Sequence, residues 1–353
     1  FGNVVLGYYF QGLETVRTGP GFFNLNVSRD VIKSSTFDLV KWTSKDCSPC
    51  FLITARGVEV NLPRLTKAAA DTGYFNAMPD PDGAIRSVPL VVNFQEDLYA
   101  PLSLSILQRY LDNPPLHITL SDQGVIHLGL GRLSIPVDDY GRFRINFRGP
   151  AKTFPYYSFV DVITGKVPPE TFRDKIVLVG ASAVGIYDIR VTPFSSIFPG
   201  VEVHANIMDN VLRGDFLWAP SGLMNPAVLA LIGMDKLTGL IQPRVRACYG
   251  LALLVNLIFL YGYVNYWLFS RQQIYLQMIY PISTLVVVYV VVAFMRFIAE
   301  EKERLRIRAA FQNYVAPEVV NVMLQHPEKL HLGGEKREMT VLFSDIRGFT
   351  TLS

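Results

Sequence analysis

The pattern of apolar and polar positions divides the chain in three. Up to about residue 217, short apolar runs alternate with polar turns. From Leu223 to Met295 apolar residues dominate, and from Arg296 onward charge returns. In the first part, Asn3 to Phe10, "NVVLGYYF", reads as a buried strand. Lys175 to Ser182, "KIVLVGAS", is a continuous apolar run closed by glycine, the pattern of a strand buried on both faces of an α/β sheet. Gly200 to Gly214 has helical spacing in its second half, at Val203, Ile207, Val211 and Leu212, and stops at Gly214. The loop between them crosses the end of the strand, where open α/β sheets take ligands. Asp188, Thr192 and His204 are therefore candidate pocket residues. All three also fit structural roles, as a turn cap, a residue before proline and a core histidine.

Two stretches echo each other. "DPDGAIRSVPLVVNF" from Asp80 and "DDYGRFRINFRG" from Asp138 each put Asp and Gly in a turn ahead of an alternating strand. Asp80, Asp82 and Gly83 faintly suggest a calcium loop, but the prolines and the missing glutamate at the last loop position favour hairpins.

In the second part, Ala247 to Phe269 and Ile274 to Met295 carry no charge, and about 23 residues suffice to cross ~30 Å of hydrocarbon. Tyr261, Tyr263, Tyr266, Trp267, Tyr275 and Tyr280 flank the turn between them like an interfacial belt. Two buried core helices are the alternative. Leu223 to Pro243 is a third candidate span, carrying Asp235 and Lys236. Arg244 and Arg246 follow that candidate, and Arg296, Lys302, Arg304, Arg306 and Arg308 follow the last span. The positive-inside rule then places the C-terminal side in the cytoplasm and the first part outside the plasma membrane. The segment after Met295 reads as a charged helix with Glu300–Arg304 and Glu303–Arg306 pairs and a short Ile298/Leu305 seam, followed by a helix from Pro317.

Composition agrees: the 353 residues are 50% hydrophobic and 18% charged, and mean hydropathy is +0.26, too apolar for an ordinary soluble chain. A net charge of +3 provides no field that argues for nucleic acid. Cys47 and Cys50, in "CSPC", are compatible with a disulfide, half a zinc site or a redox pair; outside the cytoplasm a small structural disulfide is favoured. Cys248 lies in a span, and Asn26 heads an "NVS" glycosylation acceptor. With no signal-peptide pattern and a strand already under way at Phe1, the chain reads as a piece cut at both ends.

From Phe311 onward, and above all in "GGEKREMTVLFSDIRGFT", the sequence resembles the entry to a class III adenylate/guanylate cyclase catalytic domain. "GNVVLGYYF", "DPDGAIRSVPL", "KIVLVGASAVGIYD" and "TPFSSIFPGVEVHANIMDN" resemble an extracytoplasmic CHASE-type sensor domain of type 2. The resemblances imply an α/β sensor (1–217), a bundle of transmembrane helices (223–243, 247–269, 274–295), a signalling helix and linker (296–334), and the first strand of an α+β cyclase domain (335–353). They imply a homodimer that converts ATP or GTP to a cyclic nucleotide under an outside signal. Asp345 would be the first ligand of two Mg²⁺ (or Mn²⁺) ions, helped by the Ile346 backbone carbonyl, while Gly348, Phe349 and Thr350 would turn their amides to the phosphates. The other catalytic residues of that family would lie beyond Ser353, so the chain as given would not cyclise a nucleotide. Alternatives are a tethered binding or dimerisation module with a dead cyclase domain, and a sensor for another output such as a kinase.

Overall fold

The computed structural model describes residues 3–14, 31–43, 51–182, 188–218, 226–245, 247–312, 338 and 340–343. The chain forms two compact units, Phe1–Ile232 with Leu257–Ile282, and Gly233–Asn256 with Ser283–Ser353.

In the first unit, period-2 alternation organises a three-stranded sheet. In β1 (Val5–Gln11), Tyr8 and Phe10 are buried while Tyr9 between them is exposed. β1 is central, antiparallel to β3 (Gly57–Glu59) and parallel to β4 (Asp71–Tyr74), which follows the short helix α1 (Pro63–Ala68). Phe10 meets the rings of Tyr8, Tyr74, Phe94 and Tyr99 at centroid distances of 5.3–5.7 Å. The buried phenols find acceptors or donors: Tyr8 Oη lies 2.8 Å from Ser35 Oγ, and Tyr74 Oη donates to the Pro89 carbonyl. Gly73 has a packing reason to be glycine, because a Cβ there would lie 2.5 Å from the Cα of Leu102, at the start of α2 (Leu102–Tyr110).

A second sheet runs in the order β10 (Leu133–Ile135), β9 (Val125–Leu130), β8 (Leu116–Leu120), β2 (Leu39–Trp42). β8 alternates cleanly, with Leu116, Ile118 and Leu120 buried, whereas the edge strand β2 is exposed throughout. A hairpin joins β6 (Val92–Phe94) to β7 (Asp97–Tyr99). The two echoing stretches turn out to be partners: β5 (Ser87–Pro89) pairs antiparallel with β11 (Arg142–Arg144). Each follows a turn clamped by an Asp–Arg pair four residues apart, Asp82–Arg86 at 2.7 Å and Asp138–Arg142 at 2.8 Å. Arg86 also holds Asp80, so the acidic turn is neutralised by the protein's own arginine, and in place of the two expected hairpins the strands after the turns pair with each other. No cluster of three or more metal-ligating side chains occurs among the described residues.

"KIVLVGAS" departs from expectation. It is extended but belongs to no strand among the described residues; Ile176 and Leu178 pack on the core, while Val177 and Val179 are 51% and 80% exposed. A continuous apolar run does not say whether one face or two will be covered. Here only one is. Beyond α3 (Phe159–Ile163), β12 (Ile189–Arg190) and β13 (Phe198–Pro199) make a small antiparallel hairpin that leads into α4 (Gly200–Arg213). In α4, Val203, Ile207 and Val211 are buried as their spacing predicts, Leu212 is 43% exposed, and Gly214 ends the helix at φ +65°.

Among the described residues three α-helices follow: α5 (Pro226–Ile241), α6 (Ala247–Gln272) and α7 (Ile279–Gln312). Cys248–Gln272 and Ile279–Ile307 are long and apolar enough to cross a membrane. Their large side chains face outward, with Phe259 74%, Val287 59% and Phe294 60% exposed, so they are not core helices of this fold. The expected span from Ile274 starts later, because 274–278 is not helical. The described part of α5 has 16 residues, about 24 Å at 1.5 Å per residue, and positions 223–225 of the expected span from Leu223 to Pro243 lie outside the described residues. Of the aromatic belt, Tyr263, Tyr266 and Tyr280 are exposed, whereas Tyr261 is buried and donates to the Gln277 carbonyl at 2.7 Å.

In the second unit, Gln242 Nε2 donates to the Tyr289 carbonyl at 3.0 Å, and Arg296 donates to the Val245 carbonyl. That anchorage turns Arg296 toward Glu300, 2.8 Å away, so Glu300 pairs there and not with Arg304. Val341, Leu342 and Phe343 are 60%, 88% and 92% exposed and lie outside any described strand. A strand needs a neighbour to satisfy its amides, and no described residue supplies one. The expected helix from Pro317 lies outside the described residues, as do Cys47, Cys50, Asn26 and the motif residues Asp345, Ile346, Gly348, Phe349 and Thr350.

Candidate functional site

The three candidate pocket residues lie on or before α4, and Asp188 and Thr192 each have a structural partner. Asp188 accepts the Gly200 amide at its carbonyl, 2.9 Å away, and its carboxylate sits at the start of the helix. A Cβ at Gly200 would collide with that carboxylate, so glycine at the first helical position admits the cap. Burial raises the Asp188 pKa, opposed by Arg190, 3.3 Å away. Thr192 closes its own turn, its amide donating to the Ser195 carbonyl at 2.8 Å and its hydroxyl accepting from the Ser195 amide at 3.3 Å. His204 is buried on the core side of α4. Burial pushes its pKa down to about 4, helped by the charge of Arg190 and opposed by the Phe75 backbone, and its Nδ1 is buried with no hydrogen-bond partner among the described residues. The structure thus gathers Asp188 and His204 around Arg190 and leaves Thr192 in a separate turn.

A neutral buried histidine has a pH signature. In the unfolded chain it titrates near 6.5 and in the fold near 4, so protons bind the unfolded state preferentially between those values. Stability from His204 is complete above pH 6.5, falls as pH drops, and is lost in full below pH 4; the total is about 3 kcal/mol. Urea midpoints at pH 7.5, 5.5 and 4 should fall more steeply for the wild type than for His204→Gln. Parallel falls would refute the assignment.

The polar residues of α4 that sequence reasoning passed over make the more extensive arrangement. Glu202, Asn206 and Asn210 are spaced by four, at 2%, 1% and 0% exposure. Each grips the backbone of the segment after β11. Asn210 accepts the Asn146 amide and donates to its carbonyl, both at 2.9 Å. Asn206 accepts the Arg148 amide at 2.9 Å. Glu202 accepts the amides of Lys152, Thr153 and Phe154 and the Tyr156 hydroxyl. A helix thereby does for this segment what a neighbouring strand would do. The signal was a polar i,i+4 stripe beside the apolar one, which periodicity alone reads as a solvated face.

At the end of the same helix, Arg148 bridges Asp209 at 2.5 Å and Asp215. Elsewhere in the sensor part, a groove of about 530 Å³ beside β2 is lined by Trp42, Phe37 and Val40 together with Lys33, Glu96 and Asp97. The family model described as CHASE2 domain matches residues 12–236. No curated protein and no solved structure gives a match.

Proposed function

This chain belongs to the CHASE2 domain family, whose members are extracytoplasmic sensor domains of signalling receptors, and from that premise we propose that it controls a class III nucleotide cyclase across a membrane. The observation that carries the cyclase reading is "TVLFSDIRGFT" placed after a charged helix that continues an apolar one. In this reading Asp345 and the Ile346 carbonyl hold Mg²⁺, which lowers the pKa of the attacking ribose hydroxyl and screens the phosphates of ATP or GTP. The residues fit a hard cation, because a carboxylate and a carbonyl offer oxygen only. Gly348, Phe349 and Thr350 present amides to the phosphates. Two such domains from a homodimer form the working enzyme, and the helices after Met295 bring the signal to them. The C-terminal part is cytoplasmic and the sensor outside, which requires Leu223 to Pro243 to cross as well.

The test is cyclic nucleotide formation by the full-length protein in membranes with Mg²⁺ and ATP or GTP. Asp345→Ala is expected to lower the rate by about a hundredfold or more, several kcal/mol of lost charge stabilisation. Unchanged activity in that variant would remove the metal assignment. No cyclic nucleotide from the wild type would favour the dead-domain alternative. Reporter fusions at Gln273 and Glu300 should give opposite sidedness.

A further inference from the structure

We propose that the turn between the two spanning helices is the sensor's output contact: a clasp centred on Asp215 fixes that turn to the end of α4, so that a shift of α4 reaches α6 and α7 directly. The proposal rests on the sensor reading above but is measured without any output domain.

The clasp joins residues 58 positions apart in the chain, Asp215 and Gln273. Gln273 Nε2 donates to Asp215 Oδ1. The two backbones then bridge, the Trp218 amide donating to the Gln273 carbonyl at 3.0 Å and the Tyr275 amide to the Trp218 carbonyl at 2.9 Å. Arg144, on β11, places its guanidinium 4.8 Å above the Tyr275 ring. Asp215 is in turn held by Arg148 and by Asn146 Nδ2 at 3.1 Å, and its amide donates to the Asn210 carbonyl at 3.0 Å. Asn146 and Arg148 are the same residues whose amides Asn210 and Asn206 capture. One connected set of hydrogen bonds therefore runs from the buried stripe of α4 through Asn146 and Arg148 to Asp215, and on to Gln273.

Three features mark this joint as more than packing. Gln273 sits at φ +57°, a left-handed conformation that disfavours a side chain and persists only where surrounding contacts impose it. Arg148 Nη2 is buried without an acceptor, so the present arrangement leaves a donor that a shifted one can satisfy. The sensor also becomes attached to the helices at two points, through the chain into α5 and through the clasp at the turn. A single covalent attachment transmits translation and lets the helices swivel; a second one transmits rotation too.

The experiment is residue-resolved hydrogen exchange on the full chain in lipid nanodiscs, comparing wild type with Gln273→Gly. Glycine relieves the left-handed strain, so a purely structural role predicts no loosening. The proposal predicts that the Trp218 and Tyr275 amides exchange about tenfold faster, the factor for one lost charge-assisted hydrogen bond. Because coupling is reciprocal, the Asn146 and Arg148 amides should also speed up, about threefold or more, while the β8–β9 amides stay unchanged. The proposal fails if the turn amides do not change, if they change without Asn146 and Arg148, or if exchange rises equally everywhere. In each of those cases the sensor reading itself is untouched. An Asp215→Cys/Gln273→Cys disulfide should give the converse result, slower exchange at Asn146 and Arg148 than in its reduced form; equal rates would also overturn the coupling.

Discussion

Truncating Glu202 to alanine is expected to destabilise the sensor unit by about 4 kcal/mol. The carboxylate is buried at 2% exposure and accepts three consecutive amides, Lys152 at 2.9 Å, Thr153 at 2.9 Å and Phe154 at 3.4 Å, with the Tyr156 hydroxyl at 2.8 Å. Consecutive amides that converge in this way form a nest for an anion. Here the anion is the protein's own side chain, in the first turn of α4 where the helix dipole also favours it. Lys152 is left-handed, at φ +71°, and this side chain helps to hold it there. Alanine leaves those part-buried donors without their acceptor, and because Lys152, Thr153 and Tyr156 are exposed residues that water can reach, each donor costs about 1 kcal/mol, the low end of the range for a lost acceptor. Glu202→Gln keeps the shape but turns an NH₂ toward the donors, and an intermediate loss of about 2 kcal/mol is expected. Urea denaturation reads both. A loss below about 1 kcal/mol for the alanine variant would show that water replaces the carboxylate easily.

Phe10→Ala is the second large effect, again about 4 kcal/mol. Phe10 is fully buried near the end of a central strand, with four aromatic neighbours. Removing the ring loses its transfer energy and opens a cavity that rigid neighbouring rings fill poorly. Phe10→Leu should cost roughly half as much, since it leaves a smaller void. Because domains of this size are stable by only about 5–15 kcal/mol, the alanine variant should also accumulate to a lower level. A denaturation midpoint within error of the wild type would mean that the aromatic cluster is not the core of this sheet.

The two variants probe different kinds of legibility. The apolar run in "NVVLGYYF" marked β1 as a strand but not its inner face, which the fold puts at Tyr8 and Phe10 while Tyr9 is exposed. Val203, Ile207 and Val211 marked the inner face of α4, and Gly214 its end. Asp80 to Gly83 and Asp138 to Gly141 marked two turns. All of these follow from the amino-acid order itself, because side-chain direction repeats every 2 or 3.6 residues and glycine tolerates positive φ wherever it stands. The uncharged runs that became most of α6 and the first half of α7 are legible for the same reason, since length and the absence of charge are properties of the chain alone.

What a segment pairs with is another matter. "KIVLVGAS" has the composition of a doubly buried strand, yet the fold covers only the side of Ile176 and Leu178. The two echoing turns did not say that the strands after them, β5 and β11, would lie side by side. Glu202, Asn206 and Asn210 look like a solvated stripe until the 146–154 segment is seen to lack a neighbouring strand and to take its hydrogen bonds from them. Asp188 and Thr192 had residue types that fit a pocket or a structural role, and the fold uses them at a helix start and in a turn closure. Asp215 and Gln273 carry no local sign of each other at all. Periodicity and hydropathy are local quantities, so the sequence by itself determined where elements form, which faces are apolar and which stretches suit a membrane. Hydrogen-bond partners and covered faces depend on which distant segments approach each other, and only the tertiary structure decided those.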